Sequence, residues 1–450
     1  MMMRVLRRAL VAVVIAGVTL PAQTPTPLSV AAPLVRPQDM ARALRVLRRA
    51  PVIDGHNDLP WRIREDSLHP HDVRAYDLRG RAPGMTDIAR LKQGHVGGQF
   101  WSVYIPGERE DDTYRPNGMV SSTPGYARVQ LEQIDIARQV LEREPSLVWA
   151  LTAKDLKGAF RTGKVGSLLG LEGGHAIENS LALLRQYYAL GARYMTLTHN
   201  VTLDWADAAL DSAKHGGLTP FGKEVVREMN RLGMLLDLSH VSPGTMSAAL
   251  DVTESPVIFS HSASRALVNH PRNVPDSILA RMKKNGGVVM VPFVTDFVSA
   301  ATYANSDSLA AVERAARRRY PADSAARHRE VDAWKTAHPA PRATIAQVAD
   351  HIEHVRTVAG VDHVGIGSDF DGITANVLGL EDVSTFPTLF AELARRGWSD
   401  ADLAKLSSGN LLRVLGEAER VSARLKKVRG PSTATIELLD RGIRTAPRAR

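Results

Sequence analysis

The chain of 450 residues contains no cysteine. Disulfides are therefore excluded, and so is a lipid carried on an N-terminal cysteine. Long apolar runs are equally scarce: beyond residue 22 no stretch is long and apolar enough to cross a bilayer. The C-terminal sequence Thr445-Ala446-Pro447-Arg448-Ala449-Arg450 lacks the hydrophobic tail of a GPI-type signal. No G-x-G-x-x-G follows an early strand-like run, so a dinucleotide site has no support. The formal net charge of +9 is mild for this length and implies no nucleic-acid partner.

What is present begins with the order of a signal peptide over residues 1–22. Arg4, Arg7 and Arg8 form a positive start, Ala9 to Leu20 an apolar run, and Leu20-Pro21-Ala22 a cleavage site before Gln23. Cleavage there removes three arginines and no acid, which lowers the net charge from +9 to +6. The expectation is an exported, soluble protein, periplasmic or extracellular. Residues 23–40 read as a Pro- and Thr-rich linker, 41–420 as the main domain and 421–450 as a basic, weakly patterned tail.

Within the main domain, short apolar runs alternate with helical patterns. The runs are Pro51–Asp54, Gly97–Tyr104, Val165–Leu171, Arg193–Thr198, Met234–Leu238, Pro256–Ser260, Gly287–Pro292 and His363–Gly367. Such runs are typical of strands buried on both faces. Thr219-Pro220 reads as a helix start and Gly233 as its end, and Leu181, Leu184 and Tyr188 lead in the same way to Gly191. Strands alternating with helices predict a (β/α)₈ TIM-like barrel, with an open doubly wound sheet as the alternative. Residues 301–342, rich in Ala, Arg and Asp, read as a helical insertion and a candidate lid.

The polar residues at the run ends carry the chemistry. The first run leads to His56-Asn57-Asp58, the third to Glu172-Gly173-Gly174-His175, the fourth to His199, the fifth to His240, the sixth to His261 and the eighth to Asp369. In a barrel these ends converge on one mouth. His56 and Asp58, at i and i+2, point the same way from an extended backbone. Imidazole and carboxylate are natural ligands of a divalent ion such as zinc. Glu172 can bridge two ions, with His240 and His261 completing the second. Two ions at ~3.5–4 Å clamp the attacking and leaving atoms of a hydrolysis and activate water as the nucleophile. A lone histidine at a strand end is more often structural, and Asp369 alone reads as a helix cap before Gly372. His175 and His270 are taken as supporting or loop residues. A purely structural explanation must nevertheless account for such residues at five separate strand ends.

The motifs together resemble the membrane (renal) dipeptidase family, peptidase family M19. Asp54-Gly55-His56-Asn57-Asp58-Leu59-Pro60-Trp61 is similar to its opening metal motif, and Leu171-Glu172-Gly173-Gly174-His175 to its bridging-glutamate segment. Thr196-Leu197-Thr198-His199-Asn200 with Trp205-Ala206-Asp207 resembles its catalytic-histidine segment. Asp237-Leu238-Ser239-His240 and Phe259-Ser260-His261-Ser262 resemble its later metal strands. Arg272-Asn273-Val274-Pro275-Asp276, Gly367-Ser368-Asp369-Phe370-Asp371-Gly372 and Gly409-Asn410-Leu411-Leu412-Arg413-Val414 match further blocks. The likeness runs from about residue 50 to about 418.

The resemblance implies a (β/α)₈ barrel holding two Zn2+ per chain and cutting dipeptides, including some with a C-terminal D-residue. It implies that His56 and Asp58 bind one metal, His240 and His261 the other, and that Glu172 bridges them. His199 would stabilise the oxyanion, Arg272 hold the substrate carboxylate, and Asp369 shuttle a proton or hold the free amine. Two departures stand out: the intersubunit disulfide of mammalian members is impossible, so a homodimer would have to form without it, and there is no lipid anchor. Other barrel amidohydrolases, such as deaminases and lactonases, often open with His-x-His and bridge through a modified lysine. The His-x-Asp opening and Glu172 favour a peptidase. A binding protein that had lost catalysis would lack a ligand or His199, and none is missing.

Overall fold

The computed structural model describes residues 35–107 and 125–442. The signal-peptide reading lies outside these residues, as does the linker up to residue 34. Nine parallel strands are present among the described residues: β1 (Val52–Asn57), β2 (Val96–Ser102), β3 (Leu147–Trp149), β4 (Val165–Glu172), β5 (Ala192–Thr196), β6 (Leu235–Asp237), β7 (Val257–Phe259), β8 (Val288–Val291) and β9 (Val364–Ile366). Their order is β2-β1-β9-β8-β7-β6-β5-β4-β3, and a further β2–β4 pairing closes the other eight into a ring. Helices follow most strands, so the architecture is a closed (β/α)₈ barrel and the open sheet is set aside.

Each of the eight apolar runs overlaps one barrel strand. The ninth strand, β3, has no counterpart among them. It pairs with Val165–Ser167 of β4, just before β5 takes up its pairing with β4 at Leu169. Three residues, Leu-Val-Trp, are too few to show a periodic pattern.

Every residue of the eight barrel strands is buried, as strands covered by helices outside and side chains inside must be. One apolar cluster draws Ile53, Phe100, Leu168, Tyr194, Leu235, Ile258, Val288 and Met290 from seven strands. Residues shared this way around a closed ring meet only in its interior. Leu411, Val414, Leu415 and Ala418 of the helix Asn410–Leu425 join the same cluster. Asn410 ties that helix to β9, donating through Nδ2 to the carbonyls of Val361 at 2.7 Å and Val364 at 2.8 Å.

The helix Pro220–Leu232 begins and ends as its sequence dictates: Thr219 accepts from the Gly222 amide, and Gly233 takes a left-handed φ of 86°. The expected insertion holds two helices, Ala300–Arg319 and Ser324–Ala337, with few buried residues between them. Two expected boundaries move. The helix Pro37–Arg49 starts inside the segment read as linker 23–40, with Pro37 in its first turn and Ala43, Val46 and Leu47 buried. Past residue 421, the helix Asn410–Leu425 continues. The chain then returns so that Asp440 caps the helix Pro220–Leu232, accepting from Thr219 Oγ1 at 2.6 Å and the Phe221 amide at 2.9 Å.

Candidate metal centre

Seven polar residues meet at the C-terminal mouth of the barrel. β1 delivers His56 into the site. Asn57 then turns the chain: its Oδ1 accepts from the Leu59 amide at 2.9 Å, doing the capping that would otherwise engage Asp58. Asp58 sits at the start of the next helix without a side-chain cap bond, so its carboxylate faces the centre. Its Oδ2 lies 3.2 Å from His56 Nε2. The two side chains meet, although Asp58 has left the extended conformation that the i, i+2 reading assumed.

Glu172 closes β4 and stands between two groups. Its Oε2 lies 3.3 Å from His56 Nε2 and accepts from Ser102 Oγ at 3.0 Å. Its Oε1 lies 3.0 Å from His240 Nε2, 3.5 Å from His261 Nε2 and 4.0 Å from His199 Nε2. Asp369, beyond β9, places Oδ1 3.8 Å from His56 Nε2. His240 and Asp369 both have left-handed backbones, with φ of 67° and 66°. Such conformations cost about 1–3 kcal/mol each and collect at functional sites, where a side chain must be aimed rather than relaxed.

The ligand-type atoms form three overlapping groups: His56, Glu172 and His261; Glu172, His199 and His240; and His56, Asp58 and Asp369. The sequence-predicted residues are thus brought together, with His199 and Asp369 in the same groups at slightly longer distances, 4.0 and 3.8 Å, than the expected ligands. Arg272 is buried near enough for the charges of Glu172 and Asp369 to act on it. Its guanidinium lies over the Phe297 ring at 5.2 Å, and its Nη1 has no hydrogen-bond partner. His175 and His270 lie outside these three groups. His175 Nε2 contacts the Ile105 carbonyl at 3.0 Å, and His270 Nδ1 accepts from the Arg272 amide at 3.1 Å.

Sequence reasoning gave no role to the groups behind the histidines. Tyr194 Oη lies 2.8 Å from His56 Nδ1, Asn200 Oδ1 3.1 Å from His240 Nδ1, and Ser260 Oγ 2.8 Å from His261 Nδ1. Asn200, Asp237 and Ser260 lie within the motifs already noted. Their partners, however, are set by inter-strand register, which a single sequence does not display.

The charges follow from burial and crowding. Burial, then Arg272 and His199, hold His240 well below the usual histidine range. Burial, then His56, Arg272 and His240, do the same to His261. Both rings are therefore neutral. Burial raises Asp369 well above the usual carboxylate range, and Asp58 and Glu172 add to this against His56 and Arg272. Burial also resists a charge on Glu172, but His56 beside it outweighs this and holds its pKa well below the ordinary value. Burial lowers Arg272 to about 10, so it stays a cation at neutral pH.

These residues fit a divalent cation. His56 Nε2 and Asp58 Oδ1 are buried without hydrogen-bond partners. His240 Nε2 and His261 Nε2 face each other at 2.9 Å. Asn200 Oδ1 only accepts, so His240 carries its proton on Nδ1 and turns a bare lone pair toward the centre. The neutral imidazoles of His240 and His261, together with the carboxylates, suit zinc or a similar ion.

Comparison with known proteins agrees. Residues 40–429 match the model of the membrane dipeptidase family, peptidase family M19. Dipeptidase verJ of Clonostachys rogersoniana is 39% identical over 391 residues, covering 86% of this chain and 89% of its own. Dipeptidase 3 of Mus musculus is 38% identical over 410 residues, covering 90% of this chain and 71% of its own. Among solved structures, the probable dipeptidase PvdM from Pseudomonas aeruginosa superposes with a TM-score of 0.72 at 26% identity, over 85% of this chain and 99% of that one. A metallopeptidase from Rhodobacter sphaeroides, liganded with a phosphinate mimic of the dipeptide L-Ala-D-Ala, shares the fold with a TM-score of 0.64 at 24% identity, over 82% of this chain and 99% of that one. The chain belongs to the membrane dipeptidase family, metal-dependent hydrolases that act on peptide bonds.

Proposed function

We propose that this protein is an exported dipeptidase whose barrel mouth holds two zinc ions bridged by Glu172. The observation that carries the reading is the split of the Glu172 carboxylate: Oε2 faces His56 at 3.3 Å, while Oε1 faces His240 at 3.0 Å and His261 at 3.5 Å. His56 and Asp58 would hold one ion, and His240 and His261 the other. When bound, such a pair supplies an activated water and polarises the scissile carbonyl.

The chain's own residues orient the substrate. Arg272 offers a buried guanidinium with a free Nη1, which suits the planar carboxylate at the end of a dipeptide. His199, 4.0 Å from Glu172 Oε1, is placed to donate to the oxygen that gains charge during attack. Asp369, beside His56, takes the substrate's amine or carries the proton to the leaving nitrogen. The Rhodobacter sphaeroides structure with its L-Ala-D-Ala mimic supports extending the substrate class to dipeptides with a C-terminal D-residue. Export rests on Arg4, Arg7, Arg8 and the apolar run after them; among the described residues no helix is long and apolar enough to cross a membrane. The test is hydrolysis of a dipeptide panel, L,L and L,D, with and without a chelator. Cleavage that persists after metal removal contradicts the proposal.

A further inference from the structure

Behind His261, a carboxylate and a hydroxyl are stacked in series. Asp237 ends β6 and is fully buried. Its carboxylate accepts from the amides of Ser239 at 3.1 Å and Ser260 at 2.8 Å. It also accepts from Thr196 Oγ1 at 2.5 Å and Ser260 Oγ at 2.6 Å. These donors come from the end of β5 and from the residues just past β6 and β7, so the carboxylate is fixed from three neighbouring strand ends.

Proton counting gives the consequence. Ser260 Oγ has one proton, and the carboxylate, an acceptor only, takes it in a short charge-assisted bond. The same oxygen lies 2.8 Å from His261 Nδ1 and has only lone pairs left to offer there. With Ser260 as acceptor, His261 carries its proton on Nδ1, and its Nε2 lone pair faces His240 Nε2 at 2.9 Å and Glu172 Oε1 at 3.5 Å, a cluster of acceptors that calls for a cation. We infer that Asp237, acting through Ser260, is a positioning residue that locks His261 in the tautomer able to bind metal. The inference rests on the two-metal reading above.

Asn200 sets the tautomer of His240 directly, because its Oδ1 accepts from Nδ1. His261 Nδ1 instead meets a hydroxyl, Ser260 Oγ. A serine alone leaves the choice open, since a hydroxyl both donates and accepts. The buried carboxylate removes that ambiguity. Asp237→Asn reverses the polarity: the amide can donate to Ser260, which then turns its own proton to His261 Nδ1 and moves the ring proton to Nε2. Groups that orient a metal-bound histidine are typically worth roughly 10–100-fold in metal affinity.

The test uses full-length mature protein stripped of metal. Long-range nitrogen–proton correlation with isotope-labelled histidine reads the His261 tautomer, and competition titration with Zn2+ reads affinity. Wild type is expected to show Nδ1–H, and Asp237→Asn Nε2–H with Zn2+ binding weaker by roughly 10–100-fold at one site. Thr196→Val removes another hydroxyl from the same carboxylate but leaves the Ser260–His261 contact, and is expected to keep both the wild-type tautomer and the affinity. An unchanged tautomer with affinity within twofold in Asp237→Asn overturns the inference, as does an equal change in Thr196→Val. If Asp237→Asn does not fold, Ser260→Ala decides, with unchanged Zn2+ affinity again counting against it. Failure of wild type to bind Zn2+ rejects the two-metal reading instead, because the tautomer is read without metal.

Discussion

Tyr194 lies directly against the backbone of Gly170. A Cβ added at residue 170 would sit 2.0 Å from Tyr194 Cζ, and the hydroxyl that this approach permits reaches His56 Nδ1 at 2.8 Å. A small residue on β4 thus sets the position of an aromatic ring on β5 and, through it, of a histidine on β1. Gly170→Ala is expected to push Tyr194 away, destabilise the barrel by about 1–3 kcal/mol through overpacking, and weaken metal binding. Tyr194→Phe keeps the ring and loses only the hydroxyl, so it should lower metal affinity with a smaller change in Tm. Equal Tm values for wild type and Gly170→Ala would count against this packing.

Arg272→Ala should lower kcat/KM for dipeptides while leaving metal content intact. The lost charge–carboxylate pairing is of the order of 1–3 kcal/mol, or about tenfold to a hundredfold in rate. Wild type should also prefer a dipeptide to its C-terminal amide, and the variant should not. Kinetics of both substrates on both proteins decide this; an unchanged preference in the variant places the carboxylate elsewhere.

Asp58, Glu172 and Asp369 crowd three carboxylates around His56. Cations that bind only the folded state stabilise it by mass action, about 4 kcal/mol at a thousandfold excess over Kd. Chelation should therefore lower Tm, and added Zn2+ should restore it. A Tm indifferent to chelator would contradict binding at this cluster.

Glu228 gives a stability prediction away from the site. It is buried, and burial opposes its charge. Hydrogen bonds from Arg231 at 2.8 Å and Arg185 at 3.0 Å outweigh this and hold its pKa below the ordinary 4.5. A depressed carboxylate contributes stability above its unfolded pKa and loses it as pH falls through the folded one. Glu228→Gln should cost about 1–3 kcal/mol at neutral pH, and the gap to wild type should narrow below pH 4.5. Denaturant titrations at neutral and acid pH test this; a gap independent of pH would contradict it.

The barrel was legible in the sequence because strands buried on both faces are continuous apolar runs, and because His56, Glu172, His199, His240, His261 and Asp369 each follow such a run. β3 was not legible, being three residues long and paired only with the first part of β4. The start of the helix Pro37–Arg49 was hidden by the Pro- and Thr-rich composition before it, although Pro37 and the spacing of Ala43, Val46 and Leu47 carry a helical signal. Asp237, Ser260, Asn200 and Tyr194 stood in plain view without a role. Their work depends on which residue of one strand lies beside which residue of the next, and the closed ring decides that register.

The most direct test of the two-ion centre is a titration of metal-free protein with Zn2+, measuring dipeptide hydrolysis against metal bound per chain. Activity should rise until two ions are bound per chain, and Glu172→Gln should fail to reach that point. Full activity at one ion per chain, or without any metal, would contradict a centre bridged by Glu172.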